Sequence, residues 1–365
     1  MSKKKSELFP VAEPWPHPVN GFEIANDVHD LINSHIICDQ HSAVASTLWI
    51  MHTWLIDSFA VSPIVNITAP MPNCGKSTLL ELMGLLVKRP LKVDNITPAA
   101  VFRTVDEYHP TLLIDEVDSF VNGNEELRGI LNSGHRQDGR VIRVEGNSYI
   151  PTPFSTYCAK ALCGIGSMAN TLESRSIKIE LRRKLPSEKV APMRHINKSK
   201  ADDLAAMLNR FGVDNEDLAK THQPKMPSSL CNRIQDNWEP MLIVAELVGG
   251  TWPTLGREAA LAIEGKSNAI DLTSELLRDT RNAFMVADAI CITTRDLIER
   301  LCEMDETPWK HFSKGKPITD RQLAKQLKNF KISSADLRMG HDVRKGYKLE
   351  DFHDSFLRYL PPLKE

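Results

Sequence analysis

The chain has 365 residues, of which 42% are apolar and 25% charged, enough material for a sizeable core in about two or three domains. A formal net charge of -2 excludes a molecule that is basic throughout, so attraction to phosphate has to come from local patches. Seven cysteines without a C-x-x-C pair exclude a zinc ribbon and argue against a disulfide framework, which predicts a reducing, cytoplasmic location. The start, MSKKKSELFP, has no apolar centre and does not read as a signal peptide. The most apolar run, Val44 to Ile67, is broken by His52, Asp57 and Pro63, short of the roughly 18–20 residues of a membrane span.

In chain order, the proline-rich stretch EPWPHPVNG predicts an extended arm. Ile24, Val28, Leu31 and Ile32 keep helical spacing, and a second helix is expected from Ser42 to Phe59. SPIVNITA then reads as a strand, APMPNCGKST as a loop and STLLELMGLLVKR as a helix. PTLLIDEVDSF (110–120) is a buried strand ending in acids, and NEELRGILNSGH is a helix with Leu127, Ile130 and Leu131 on one face. VIRVEGNSYIPTPFSTYCAKALCGIG predicts a hairpin followed by a core strand, and SRSIKIELRRK one more strand. Strands alternating with helices imply a parallel α/β sheet.

Beyond Lys184 a polar linker leads into helices. LCNRIQDNWEPMLIVAELVGG and LGREAALAIEG each read as closed by glycine. TTRDLIERLCEM and TDRQLAKQLKNF open on threonines able to cap a helix. SSADLRMG is expected as a short third helix and HDVRKGYKLEDF as a hairpin, the reading of a winged helix. The expected domains are an N-terminal arm and helices (1–59), an α/β core (60–184), a helical lid (185–268) and a winged-helix-like domain (269–365).

The loop carries the chemistry. Gly75-Lys76-Ser77 ends it as a phosphate-binding loop ends, but Pro70 stands where the usual first glycine would be. Backbone N–H groups from about Asn73 to Ser77 can form a nest for phosphates at the positive end of the following helix. Pro72 sits where proline is common, and Asn73 takes the place of a middle glycine at little cost, since asparagine tolerates the left-handed conformation. Cys74 and Thr78 complete the stretch. Lys76 would neutralise the β- and γ-phosphates of ATP and Ser77 would ligate Mg²⁺. Asp115 would hold the metal's water shell, and Glu116 is suited to polarise an attacking water.

With these residues in view, the sequence resembles an AAA+ ATPase. More narrowly it resembles phage and mobile-element ATPases whose defining region is a domain of unknown function, often found with primase–helicase modules. The matching stretches are W-P-x-P-V-N-G, P-x-P-x-C-G-K-S, L-L-I-D-E-V-D, LRGILNSGH, TLESRSIKIELRRK, NRIQDNWEPMLIVAE and KGYKLEDFHDSFLRYLP. By similarity to MCM-like and related ring helicases, Arg175 would reach into a neighbouring subunit's ATP site. The resemblance therefore implies a homo-oligomeric ring, expected to be hexameric. Arg233 is the candidate second sensor, its alternative being a helix-surface arginine paired with Asp236; the first sensor is poorly marked, with Ser167 and Asn170 as candidates.

Two segments are basic. Arg175 to Lys200 has nine Lys/Arg against Glu180 and Glu188, and Lys310 to Lys348 has eleven against Asp320, Asp336 and Asp342. DNA is the expected partner. Arg140 and Arg143 in the hairpin are candidates by analogy with pore hairpins; Arg344, Lys345 and Tyr347 are candidates for backbone contact and stacking. His109, His135 and His341 show no metal-ligand spacing and read as isolated surface or hinge histidines. A helicase or translocase is the favoured function, and a DNA-bound ATPase that does not unwind is the alternative.

Overall fold

The computed structural model describes residues 9, 12–117, 121, 124–145, 150–165, 168–230, 232–304, 307–313, 315–339 and 342–360. The chain divides into two compact units, Met1–Glu264 and Gly265–Glu365. In the first, helices α1 (Gly21–His35) and α2 (Gln40–Thr53) precede strand β1 (Ile64–Ala69) and helix α3 (Lys76–Leu86). Then come β2 (Pro90–Val93), α4 (Pro98–Tyr108), β3 (Thr111–Ile114), α5 (Glu125–Ser133) and the hairpin β4 (Arg140–Glu145) with β5 (Ile150–Ser155). Strand β6 (Lys160–Ile165), the short helix α6 (Asn170–Glu173), β7 (Ser176–Glu180), and helices α7 (Lys198–Thr221) and α8 (Asn232–Val248) complete the order.

Five strands form one sheet in the order β2-β3-β6-β1-β7, and every neighbouring pair is parallel. Alternation of side chains along each strand feeds two separate apolar layers. Val65, Ile67, Leu113, Ala161, Cys163, Ile177 and Ile179 pack with α1, α2, α3, α7 and α8. Ile64, Leu112, Ile114 and Leu162 pack on the other face with Val101, Phe102, Leu127 and Ile130 from α4 and α5. Helix α2 is buried on all sides from Ser42 to Thr53, so its serines and threonines bond back to their own helix, as Ser46 Oγ does to the Ser42 carbonyl at 2.8 Å. It ends at Thr53, earlier than the spacing predicts. Trp54 turns out of the helix there and its indole donates to the Leu86 carbonyl at 2.8 Å.

Helix α9 (Trp252–Ala287) runs through Gly265 instead of ending there as a closing glycine predicts. A helix interior tolerates one glycine at roughly 1 kcal/mol, whereas Gly249 and Gly250, with φ of 76° and 58°, do close α8. In the second unit β8 (Cys291–Thr293), α10 (Thr294–Glu303), α11 (Asp320–Lys328), β9 (Ala335–Met339) and β10 (Asp342–Lys348) follow, before α12 (His353–Tyr359). Their antiparallel sheet has the order β8-β10-β9. SSADLRMG is thus not a third helix: Ala335–Met339 pairs with Asp342–Gly346, and Leu337 is buried between exposed Asp336 and Arg338. Pairing with β10 overrides the helix propensity of that stretch. Among the described residues no helix is long and apolar enough to cross a membrane.

Candidate functional site

Strand β1 delivers the loop 70–75 at the carboxyl edge of the sheet. Asn73 adopts φ 62° and Gly75, at the N-cap of α3, φ 87° and ψ 11°. A side chain at position 75 would meet open space, so it is the left-handed backbone that asks for glycine there. Cys74 is buried in the core and pins the middle of the loop, while Pro70, Met71, Pro72 and Asn73 are exposed. Among the described residues no side chain caps the start of α3, and no acid stands in its first turn. The first N–H groups of an eleven-residue helix are therefore presented outward beside half-buried Lys76 and Thr78 and exposed Ser77.

Asp115 and Glu116 leave β3 at the same edge. Ile114 is level with Leu162 of β6, which is level with Asn66 of β1. The acids and the loop 70–75 are thus separated by one strand, about 10 Å across the sheet. Asp115 is half-buried; its N–H donates to the Val93 carbonyl at 3.1 Å and its carboxylate accepts from the Glu116 N–H at 3.0 Å. Glu116 itself is held at φ 52°, an uncommon conformation for a residue with a long side chain. This edge gathers the uncapped N–H groups at the start of α3, the Lys76 cation and two carboxylates.

Arg175 lies at the other end. It immediately precedes β7, and its carbonyl accepts from the N–H of Ile64, the first residue of β1. The length of β1, about 17 Å, separates that point from the start of the loop. Arg175 donates to the Thr171 carbonyl at 2.7 Å. Burial, and then the neighbouring charge of Arg233 from the start of α8, push its pKa down. The structure thus brings Arg175 and Arg233 together and keeps both away from Lys76 of the same chain. Asn170 begins α6; Ser167 lies outside the described residues.

The candidate DNA contacts are more heavily engaged than the charge count suggests. Arg143 donates to Glu126 at 2.7 Å and lies over the Phe102 ring at 5.2 Å, while Arg140 is exposed. Beside Arg140, the outward face of the hairpin holds Ile142 and Val144, 65% and 57% exposed. In the second unit Arg344 pairs with Asp342 at 3.3 Å and Lys345 with Asp336 at 2.9 Å. Tyr347 does not stack outward; it is buried in the core edge-on to Phe352, because its position on β10 faces the helices. His135 is likewise no surface residue but buried, with Nε2 2.8 Å from Asn237 Oδ1 across 102 residues of sequence. His109 ends α4 in the left-handed conformation, and His341 lies outside the described residues. Nothing in the sequence marks the His135–Asn237 contact beyond its two halves lying in LRGILNSGH and NRIQDNWEPMLIVAE.

Comparison with known proteins adds the following. A relative from Saccharopolyspora erythraea, described as an uncharacterized 28.9 kDa protein in the xis 5′ region, is 35% identical over 189 residues. The match covers 50% of this chain and 69% of the relative. The apo A-form structure of the C-terminal region of NrS-1 is 13% identical with a TM-score of 0.37, covering 95% of this chain and 79% of that one. A second apo structure of that region is 12% identical with a TM-score of 0.35, covering 94% and 78%. The profile of the protein family of unknown function DUF3631 matches residues 180–359, which takes in Arg233 and Asn237 but not the loop 70–75, Asp115 or Arg175. On that match and the relative from Saccharopolyspora erythraea, the chain belongs to the DUF3631 family.

Proposed function

We propose that the chain is a Mg²⁺-dependent ATP hydrolase with an AAA+ P-loop core, assembling as a hexameric ring and acting on DNA as a helicase or translocase. The observation that carries this reading is the meeting of the loop 70–75 and the Asp115–Glu116 pair at the carboxyl edge of one parallel sheet, with only β6 between them. Ligands of open parallel sheets bind outside the carboxyl ends of the strands, and a phosphate needs the N–H nest and cation found there. Lys76 neutralises the terminal phosphates, and Glu116 accepts the proton of the attacking water. The hydroxyl of Ser77 and the carboxylate of Asp115 are hard oxygen donors suited to Mg²⁺, which supplies positive charge to the phosphates when bound.

Arg175 and Arg233 cannot serve the nucleotide held by their own chain across the length of the sheet. As a pair they suit the nucleotide of an adjacent copy, where an arginine contributes on the order of 10³ to 10⁵ in turnover. In the second unit, the helix–strand–helix–helix–strand–strand order from the end of α9 to β10 supports a winged helix for DNA. The local acid partners of Arg143, Arg344 and Lys345 favour one second reading, a DNA-bound ATPase that does not unwind.

ATP turnover with and without single- and double-stranded DNA tests the first reading. Glu116→Gln is expected to keep nucleotide affinity and lose about 10² to 10⁴ in kcat. Full turnover in Lys76→Ala would contradict the site. Hydrolysis without unwinding of a forked duplex selects the second reading.

A further inference from the structure

Arg175 and Arg233 are two guanidinium groups held close enough to repel, and neither has an ion-pair partner among the described residues. Two like charges do not hold their segments together, so another contact has to. Arg233 is carried by α8 and Arg175 by the turn between α6 and β7. Asn237, four residues after Arg233 on the same face of α8, joins them. Its Nδ2 donates to the carbonyl of Ser174, the residue before Arg175, at 3.2 Å.

The orientation of that amide is determined. The Ser174 carbonyl can only accept, so Nδ2 must face it, and Oδ1 must then face His135 Nε2, which has to carry the proton. Oδ1 would lose this donor if His135 adopted the other tautomer. His135 is a fixed platform: its carbonyl accepts from the Ser62 N–H at 2.9 Å, and the preceding Gly134 carbonyl accepts from buried Lys160 Nζ at 2.6 Å. A Cβ on Gly134 would overlap the Thr156 carbonyl, so this turn sits directly on the strand connection beneath it. Burial first, and then Lys160, Arg175 and Arg136, hold the His135 pKa down to about 4, so the ring is neutral at neutral pH.

Pro240 leaves the Asp236 carbonyl without its helical partner, so the turn of α8 that carries Asn237 is not held by a full ladder. Its place is set instead by the contacts of Asn237, which is 2% exposed. We propose that Asn237 is a positioning residue: oriented by His135, it clamps the Ser174–Arg175 turn to α8 so that Arg175 and Arg233 face one phosphate together. This rests on the reading of Arg175 as the group that completes a nucleotide site.

The test compares ATP turnover, nucleotide affinity and thermal unfolding for wild type, Asn237→Ala, Arg175→Lys and the double variant. Asn237→Ala is expected to lower kcat about tenfold to a hundredfold, the scale of a misplaced catalytic group, with nucleotide affinity unchanged. The double variant should turn over no more slowly than the poorer single one. Asn237→Asp, of the same shape, keeps the acceptor for His135 but loses the donor to Ser174, and should show the same loss if Asn237→Ala does not fold. His135→Gln, which still presents a donor, should retain turnover where His135→Leu does not. Wild-type kcat in folded Asn237→Ala or Asn237→Asp, or losses that multiply in the double variant, overturns the proposal while leaving the role of Arg175 intact. Turnover that survives Arg175→Ala overturns both.

Discussion

At position 73 a single backbone angle decides whether the loop can form. Asn73 has φ 62°, and a β-branched residue there would be strained by about 1–2 kcal/mol. Asn73→Val should lower stability by that amount in urea unfolding, while Asn73→Gly should be close to neutral. The buried histidines make a second prediction at this scale. His52 is fully buried, neither ring nitrogen meets a partner among the described residues, and burial followed by Lys160 pushes its pKa down to about 3. The His135 pKa lies at about 4. Both values are below the ordinary 6.5, so the unfolded chain binds more protons as pH falls. Their contribution is complete above about pH 6.5 and is lost progressively toward pH 4 and then pH 3, on the order of 3 kcal/mol for His135. The urea midpoint should fall between pH 7 and pH 4.5, and His52→Leu should flatten that fall without lowering stability at pH 7.

At the scale of elements, α8 is tied to the start of α9 through Trp238, whose indole donates to Glu264 Oε1 at 2.9 Å with both residues buried. Burial raises the Glu264 pKa. Glu264→Gln keeps an acceptor for the indole and should leave the melting temperature unchanged or higher. Glu264→Ala leaves a buried N–H without a partner and should cost about 1–3 kcal/mol. The elements show which signals were legible. Strand, loop and helix around Gly75, and the acid-ended strand at Asp115, follow from local pattern, because each is decided within about ten residues. The strand at Ala335–Met339 was not legible, because Ser-Ser-Ala-Asp-Leu-Arg satisfies a helix locally and only pairing with β10 makes it extended. The approach of Arg233 to Arg175, and of Asn237 to His135, depends on how α8 crosses the amino-terminal edge of the sheet, which no local pattern encodes.

At the scale of the whole molecule, the two ends of β1 hold the two halves of one proposed chemistry. Lys76, Ser77, Asp115 and Glu116 occupy the carboxyl end, and Arg175 with Arg233 the amino end. A single copy cannot close that separation, so the proposed catalysis requires two copies. The direct measurement is ATP turnover of Lys76→Ala and Arg175→Ala proteins, each alone and then mixed. Each alone should be inactive, and mixing should restore turnover, because a Lys76-bearing site then meets an Arg175-bearing neighbour. Turnover by Arg175→Ala alone at the wild-type rate, or a mixture as inactive as its components, would contradict the account.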